Sequence, residues 1–377
     1  MGLICMHEKD TLTPKIVQIC HGPVIPDYVS AYSLRCHSLF RDLDHKIISV
    51  GGAILRDDKQ GVAYQFRSIL LTGYSVLKGN RAFEILLSTG RFLRGKYKVT
   101  VRKAIQNSDV VVFEGPWQYR YFKNLVQDKI VVYDAHNCET NLRDGNKYYD
   151  YVRDLESELV NDCDLLLSVT SHDNENLKRF VDDDTSKFHL VPHVLPDGQF
   201  EWNGQESREI CFIGSMYGPN VSALEFIIEL SKELQEFTFN IIGNVASSPR
   251  KIKSKNVKFL GVVSENKKNE ILSKSMVAIN PVNEGSGRNV KMVDFLLHAV
   301  PIISTEIGTR GFEDYDIKTA ALIAHREEFA KKMRYLDANR DLLAKLSENS
   351  RNVYEEILRK ETLQSPSNIL LNFMETN

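Results

Sequence analysis

The chain has 377 residues, too many for one ordinary core and suited to two domains of roughly 150–200 residues. Its 42% hydrophobic and 26% charged residues are ordinary for a soluble globular enzyme. The net charge of −2 leaves no overall pull toward nucleic acid, which excludes a nucleic-acid partner held by bulk electrostatics.

From the N-terminus, short β-branched runs alternate with helical patterns. Residues 15–20, 46–50, 109–113, 129–133, 164–169 and 187–191 read as strands, with helices over 28–43, 118–127, 148–161 and 172–181 between them. Several strand runs are continuously apolar, as in parallel strands covered on both faces. The stretch from Val191 to Gly198 holds two prolines and a glycine and reads as a linker. Alternation then restarts, with strands at 209–213, 237–242, 257–260, 276–280, 300–304 and 320–324. Helices are expected over 221–236, 264–273, 289–298 and 326–358.

This pattern predicts an α/β fold of two Rossmann-like domains facing each other across a cleft. The expected boundaries are 1–195 for an acceptor-side domain and 196–360 for a donor domain. A C-terminal segment, 361–377, is expected to pack back on the first domain.

Six cysteines lie scattered without metal-ligand spacing, which suits a reducing compartment. There is no secretory leader and no apolar run of roughly 18 residues, so a cytoplasmic location without a spanning helix is expected. Between Lys78 and Lys103, eight basic residues face the single acid Glu84. Interleaved Phe83, Leu86, Leu87, Phe92, Leu93 and Tyr97 make peripheral contact with an anionic membrane an expectation for 78–103, beside the plainer reading of a solvated helix face.

The most informative run spans residues 279–295, where a strand ends at Asn280, Gly285-Ser286-Gly287 follows, and a helix is expected from Arg288 or Asn289. Small residues let backbone amides approach a ligand, and a helix start favours an anion. Lys291 in a first turn opposes the helix dipole, and Arg288 three residues earlier compounds the cost. A bound diphosphate turns both cations into a site. Asp294, a further three residues on, interrupts an apolar face and wants a partner, such as ribose hydroxyls; the alternative is a plain ion pair with Lys291.

The run GSGRNVKMVDFLLHAVPIISTEIGTRGF resembles the donor site of the retaining family 4 glycosyltransferases of the GT-B fold. CFIGSMYGPNVSALEFI, FNIIGN, VKFLGVVSE and ILSKSMVAINP fall in the same order, and VVYDAHNCET and VPHVLPDGQF extend the likeness over most of 109–312. The resemblance implies a glycosyltransferase moving a sugar from a nucleotide-diphosphate sugar to a glycan or lipid-linked acceptor. It implies retention of configuration and no metal or other cofactor, and UDP-sugar is taken as the working donor.

By the same likeness, Lys291 and Arg288 contact the diphosphate and Asp294 the ribose. Gly214 and Ser215 offer amides to the distal phosphate, with Asn220 shaping their loop. Gly243 and the Leu260–Val263 region border the base, while Glu284, Gly285 and Ser286 lie near the donor sugar. His136, after a strand, is the candidate from the first domain for donor sugar or acceptor. Where many family members carry a second glutamate, this chain has Met292, and its carboxylate comes at Asp294. The family's glycine pair after the first strand is replaced by His21-Gly22-Pro23, so the acceptor side departs from the pattern.

Weaker candidates are Asp182-Asp183-Asp184, which reads better as a solvated loop than as a metal site, and His21 and Asp27, which suit acceptor contact or a structural turn equally. His172 reads as the start of a helix capped by Ser171. An epimerase or phosphorylase on the same scaffold, or a non-catalytic donor-binding protein, are the competing readings. A dehydrogenase is disfavoured because no GxGxxG follows the first strand.

Overall fold

The computed structural model describes residues 13–22, 24, 31–50, 63–65, 82–90, 93, 95–182, 185–192, 198, 200–249, 254–285, 287–362 and 365–376. They form two compact units. The first draws on Met1–Ser168, Asn174–His189 and Pro366–Asn377, and the second on Val169–Asp173 and Leu190–Ser365.

The first unit is built on seven strands: β1 Ile16–Cys20, β2 His45–Val50, β3 Ala63–Gln65, β4 Val110–Glu114, β5 Ile130–Ala135, β6 Leu165–Ser168 and β7 Phe188–Leu190, in the order β3-β2-β1-β4-β5-β6-β7. The second has six: β8 Glu209–Ile213, β9 Thr238–Ile242, β10 Val257–Gly261, β11 Val277–Asn280, β12 Ile302–Ser304 and β13 Ala321–Ile323, ordered β10-β9-β8-β11-β12-β13. Every described pairing is parallel. β1, β4, β6 and β11 are buried along their whole length, because helices cover both faces of each sheet.

Both sheets reverse their strand order, between β1 and β4 and again between β8 and β11. Open parallel sheets bind ligands at the carboxyl ends of the strands flanking such a reversal. The loops after β1, β4 and β5, and those after β8 and β11, are therefore where chemistry belongs.

The strand expectations hold to within one or two residues at nearly every end, and β3 is an addition. Some helices differ. The expected 326–358 helix is broken at Asn339 into Phe329–Ala338 and Arg340–Thr362, and 118–127 is a string of short turns around Tyr119–Phe122. The Ser171–Lys178 helix is capped by Thr170 rather than Ser171: Asp173 N–H donates to Thr170 Oγ1 (3.0 Å), and the hydroxyl returns a bond to the Asp173 carboxylate (2.6 Å).

The basic segment folds as the helices Ala82–Ser88 and Gly95–Gln106. Lys96, Arg102 and Lys103 are exposed, whereas Leu87, Leu93 and Tyr97 lie in the first unit's core. Those three apolar side chains are not a headgroup-level surface, and the described part of the segment reads as a core-packed helix with a solvated basic face. Lys78, Arg81, Arg91, Phe92 and Arg94 lie outside the described residues. Among the described residues no helix is long and apolar enough to cross a membrane.

Candidate functional site

In the second unit, β8 hands the chain to a tight loop, Gly214–Tyr217, and then to the sixteen-residue helix Gly218–Glu233. Two glycines make the loop possible. Gly243, at φ 96°, lies so close that a Cβ there would stand 2.2 Å from the Gly214 carbonyl oxygen. A Cβ on Gly214 would meet Phe212 at 3.0 Å and Val245 at 3.1 Å.

Tyr217 caps the helix with no side-chain hydrogen bond, and no acid stands in its first turn. The first bond into the helix is Val221 N–H to Tyr217 O, so the Gly218 and Asn220 N–H groups precede the ladder and have no acceptor within it. Ser215 N–H likewise has no backbone acceptor among the described residues. The Gly214 N–H, expected to face a phosphate, is already donated to Ile242 O at 3.0 Å. That expectation is corrected: Gly214 shapes the loop and Ser215 offers the free donor.

Lys291 opens the helix Lys291–Leu297 on the far side of β11. Met292, Val293, Phe295, Leu296 and Leu297 are buried in the core and fix how the helix lies. Lys291 Nζ donates to Asn220 Oδ1 at 2.7 Å, faces Asn280 Oδ1 at 3.4 Å, and stands 4.8 Å from the Phe212 ring centroid. Asn220 in turn donates its amide to Ser215 O and Oγ, both at 3.2 Å. No described carboxylate lies within ion-pair distance of Lys291. Burial alone lowers its pKa to about 7, since nothing negative offsets the loss of water.

The intervening loop carries Gly285 at φ 123° and Gly287 at φ 67°, conformations that favour glycine. A Cβ on Gly285 would touch Pro219 at 3.6 Å, so this loop runs beside the start of the Gly218–Glu233 helix. Glu284 and Gly285 are exposed, and Ser286 lies outside the described residues. Adjoining the loop at Asn283 is a cavity of about 650 Å³ at the ends of β11, β12 and β13, lined in part by Thr305, Glu306 and Arg326. On the other side, Val262 is exposed at the end of β10.

Arg288 does not share this environment. The helix starts three residues later than the spacing argument requires, so Arg288 precedes it and turns the opposite way. Its side chain is fully buried, paired with Glu361 at 2.8 Å and stacked 4.4 Å from the Phe312 ring centroid. Tyr315 O–H donates to the same Glu361 carboxylate at 2.8 Å. Asp294 meets Lys268 at 2.9 Å rather than Lys291. The expected stripe of Arg288, Lys291 and Asp294 thus separates into three surroundings.

In the first unit, His136 follows β5, with Nε2 2.8 Å from Glu114 Oε2 and 3.4 Å from Asp134 Oδ2. Glu114 ends β4 and is fully buried; Gln18 Nε2 donates to its Oε1 (2.9 Å) and Cys36 Sγ to its Oε2 (3.3 Å). Asp134 is clamped by Arg35, whose Nε reaches both carboxylate oxygens at 3.0 and 2.8 Å. Burial, then the Asp134 charge, raises the Glu114 pKa. Burial acts on Asp134 too, but Arg35 and His136 hold its pKa below the usual value. The sequence reading placed only His136 here. The signal for the others was an acid closing each of two otherwise apolar strands, VVVFE and IVVYDA.

No curated protein sequence matches the chain significantly. Residues 207–339 match the family model described as glycosyl transferases group 1. Among solved structures, the chain is similar to TarM (TM-score 0.63, 11% identity, 96% of this chain and 98% of that one). It is also similar to Anabaena HepE in complex with UDP and glucose (0.66, 8%, 97% and 100%). A third likeness is to the pneumococcal O-GlcNAc transferase GtfA in complex with UDP and GlcNAc (0.66, 13%, 97% and 99%). The group 1 match thus covers the loops that hold Lys291, and the chain shares the GT-B fold of these structures over nearly its whole length.

Proposed function

We propose that the enzyme transfers a sugar from a uridine-diphosphate sugar to a hydroxyl of a glycan or lipid-linked acceptor, retaining anomeric configuration and needing no metal. One observation carries the donor assignment. A partly buried ammonium, Lys291, faces amide oxygens and an aromatic ring beside N–H groups, unpaired among the described residues, that open a long helix. A diphosphate supplies the negative charge that both lack. Uridine is supported by two of the similar structures, which were determined in complex with UDP.

In this reading Lys291, with the Ser215, Gly218 and Asn220 amides, holds the diphosphate. Gly243 and Leu260–Val263 border the base, and Asp294, steadied by Lys268, meets the ribose. Glu284 and Gly285 stand at the donor sugar, next to the Asn283 cavity. Arg288 braces the loop through Glu361 instead of touching phosphate. His136, anchored by Glu114, serves the first unit's side of the reaction.

As the bond to the sugar breaks, charge collects on the distal phosphate. Donors already aimed there stabilise it without reorganising. Lys291→Ala is expected to cost about 2–4 kcal/mol in the transition state, the scale of losing one such donor. The test is turnover of UDP-sugars by wild type and variant; a loss under about fivefold removes Lys291 from the site.

A further inference from the structure

His21 sits immediately after β1, at the carboxyl end of the strand beside the order reversal of the first sheet. Its Nδ1 lies against the backbone carbonyl of Glu114. A carbonyl oxygen only accepts, so Nδ1 carries the proton and Nε2 is left as a lone pair. Among the described residues nothing donates to that Nε2, and the side chain is only partly covered.

The ring is held on its other sides as well. Tyr32 O–H accepts from the His21 and Gly22 N–H groups at 3.1 and 3.3 Å. The Tyr32 ring stands between two imidazoles, 4.8 Å from His21 and 4.7 Å from His136. Gly115, at φ 105°, brings the backbone close: a Cβ there would be 3.1 Å from His21 Nδ1. One residue, Glu114, thereby grips both histidines, His21 by its carbonyl and His136 by its carboxylate.

We propose that His21 is the residue that receives the O–H of the attacking hydroxyl, through its Nε2 lone pair, and that Glu114 is the positioning residue for both imidazoles. Burial, then the charges of His136 and Arg143, opposes protonation of His21 and lowers its pKa to about 3. So weak a base orients the hydroxyl but does not keep its proton. In the transfer, the hydroxyl oxygen bonds the anomeric carbon, and the bond to the diphosphate oxygen breaks with its electron pair on the diphosphate. The hydroxyl proton goes to that departing oxygen.

The proposal rests on the transferase function above, and two measurements separate them. Full-length protein labelled with ¹⁵N at histidine is expected to show His21 protonated at Nδ1 and bare at Nε2, unchanged from pH 5 to pH 8. A His21 that titrates in that range, or carries its proton on Nε2, overturns the proposal whatever the enzyme does. Glu114→Gln is expected to move the ¹⁵N pair of His136, and unmoved signals overturn the positioning role.

His21→Asn keeps a donor for the Glu114 carbonyl and deletes Nε2 together with the rest of the ring that faces Tyr32. With UDP-glucose as donor and water as the attacking hydroxyl, kcat for UDP release should fall at least tenfold while the donor KM stays within twofold. Equal kcat in variant and wild type overturns the proposal. Absence of any thermal shift with UDP in wild type defeats the transferase reading and the hydroxyl role together, while the histidine spectrum still reports the tautomer.

Discussion

Lys291 Nζ lies 2.7 Å from Asn220 Oδ1, and the same Asn220 donates its amide to Ser215, so one asparagine ties the partly buried cation to the loop after β8. Two segments 71 residues apart are thereby joined by neutral groups alone around a positive charge.

Such a charge works against the fold unless an anion offsets it. The unfolded lysine keeps its proton to about pH 10.4, while the folded one loses it at about 7. The burial cost is therefore absent above the unfolded value, grows as pH falls, and is complete below about pH 7. Lys291→Met should raise the stability of the ligand-free protein by about 1–3 kcal/mol at pH 6.5, with the gain fading toward pH 10. Urea unfolding at the two pH values checks it. The same variant should lose its stabilisation by UDP, which the wild type should show as about 2.7 kcal/mol at 100 times Kd.

Gly243→Ala attacks the loop without touching charge. A methyl group 2.2 Å from the Gly214 carbonyl oxygen, at a residue with φ 96°, forces two backbone segments apart. A loss of about 2–4 kcal/mol in unfolding free energy is expected, with weakened UDP binding. Wild-type stability in this variant would mean that the two loops do not touch.

The Arg288–Glu361 pair is buried, and Arg288 Nε and Nη2 already lack partners among the described residues. Glu361→Ala leaves the guanidinium uncompensated and should cost about 3–5 kcal/mol. Replacing both partners, as Arg288→Met with Glu361→Leu, should recover at least half of that. A double variant as unstable as the single one would assign Arg288 a role beyond the pair.

Much of this architecture is written in local pattern. Continuous apolar runs such as VVVFE and VAIN declare buried parallel strands, and the Pro-rich stretch after Val191 breaks the alternation near the passage between units. The place of Lys291 in a first turn was legible because the Gly-Ser-Gly run marks where the helix must start. The placement of Arg288 was not. Its partner Glu361 lies 73 residues away, and a three-residue spacing means a shared face only where the chain is already helical. The spent N–H of Gly214 and the grip of Glu114 on two histidines were hidden for the same cause. They depend on which strands become neighbours, and strand order is not a local property.

The most direct test is calorimetric titration of the whole protein with UDP at pH 8, in buffers of differing ionisation enthalpy. If Lys291 is mostly neutral before UDP arrives and charged against its diphosphate afterwards, binding takes up between about half and one proton, and Lys291→Met takes up none. UDP that binds wild type and Lys291→Met equally tightly, with no proton uptake in either, would contradict the account.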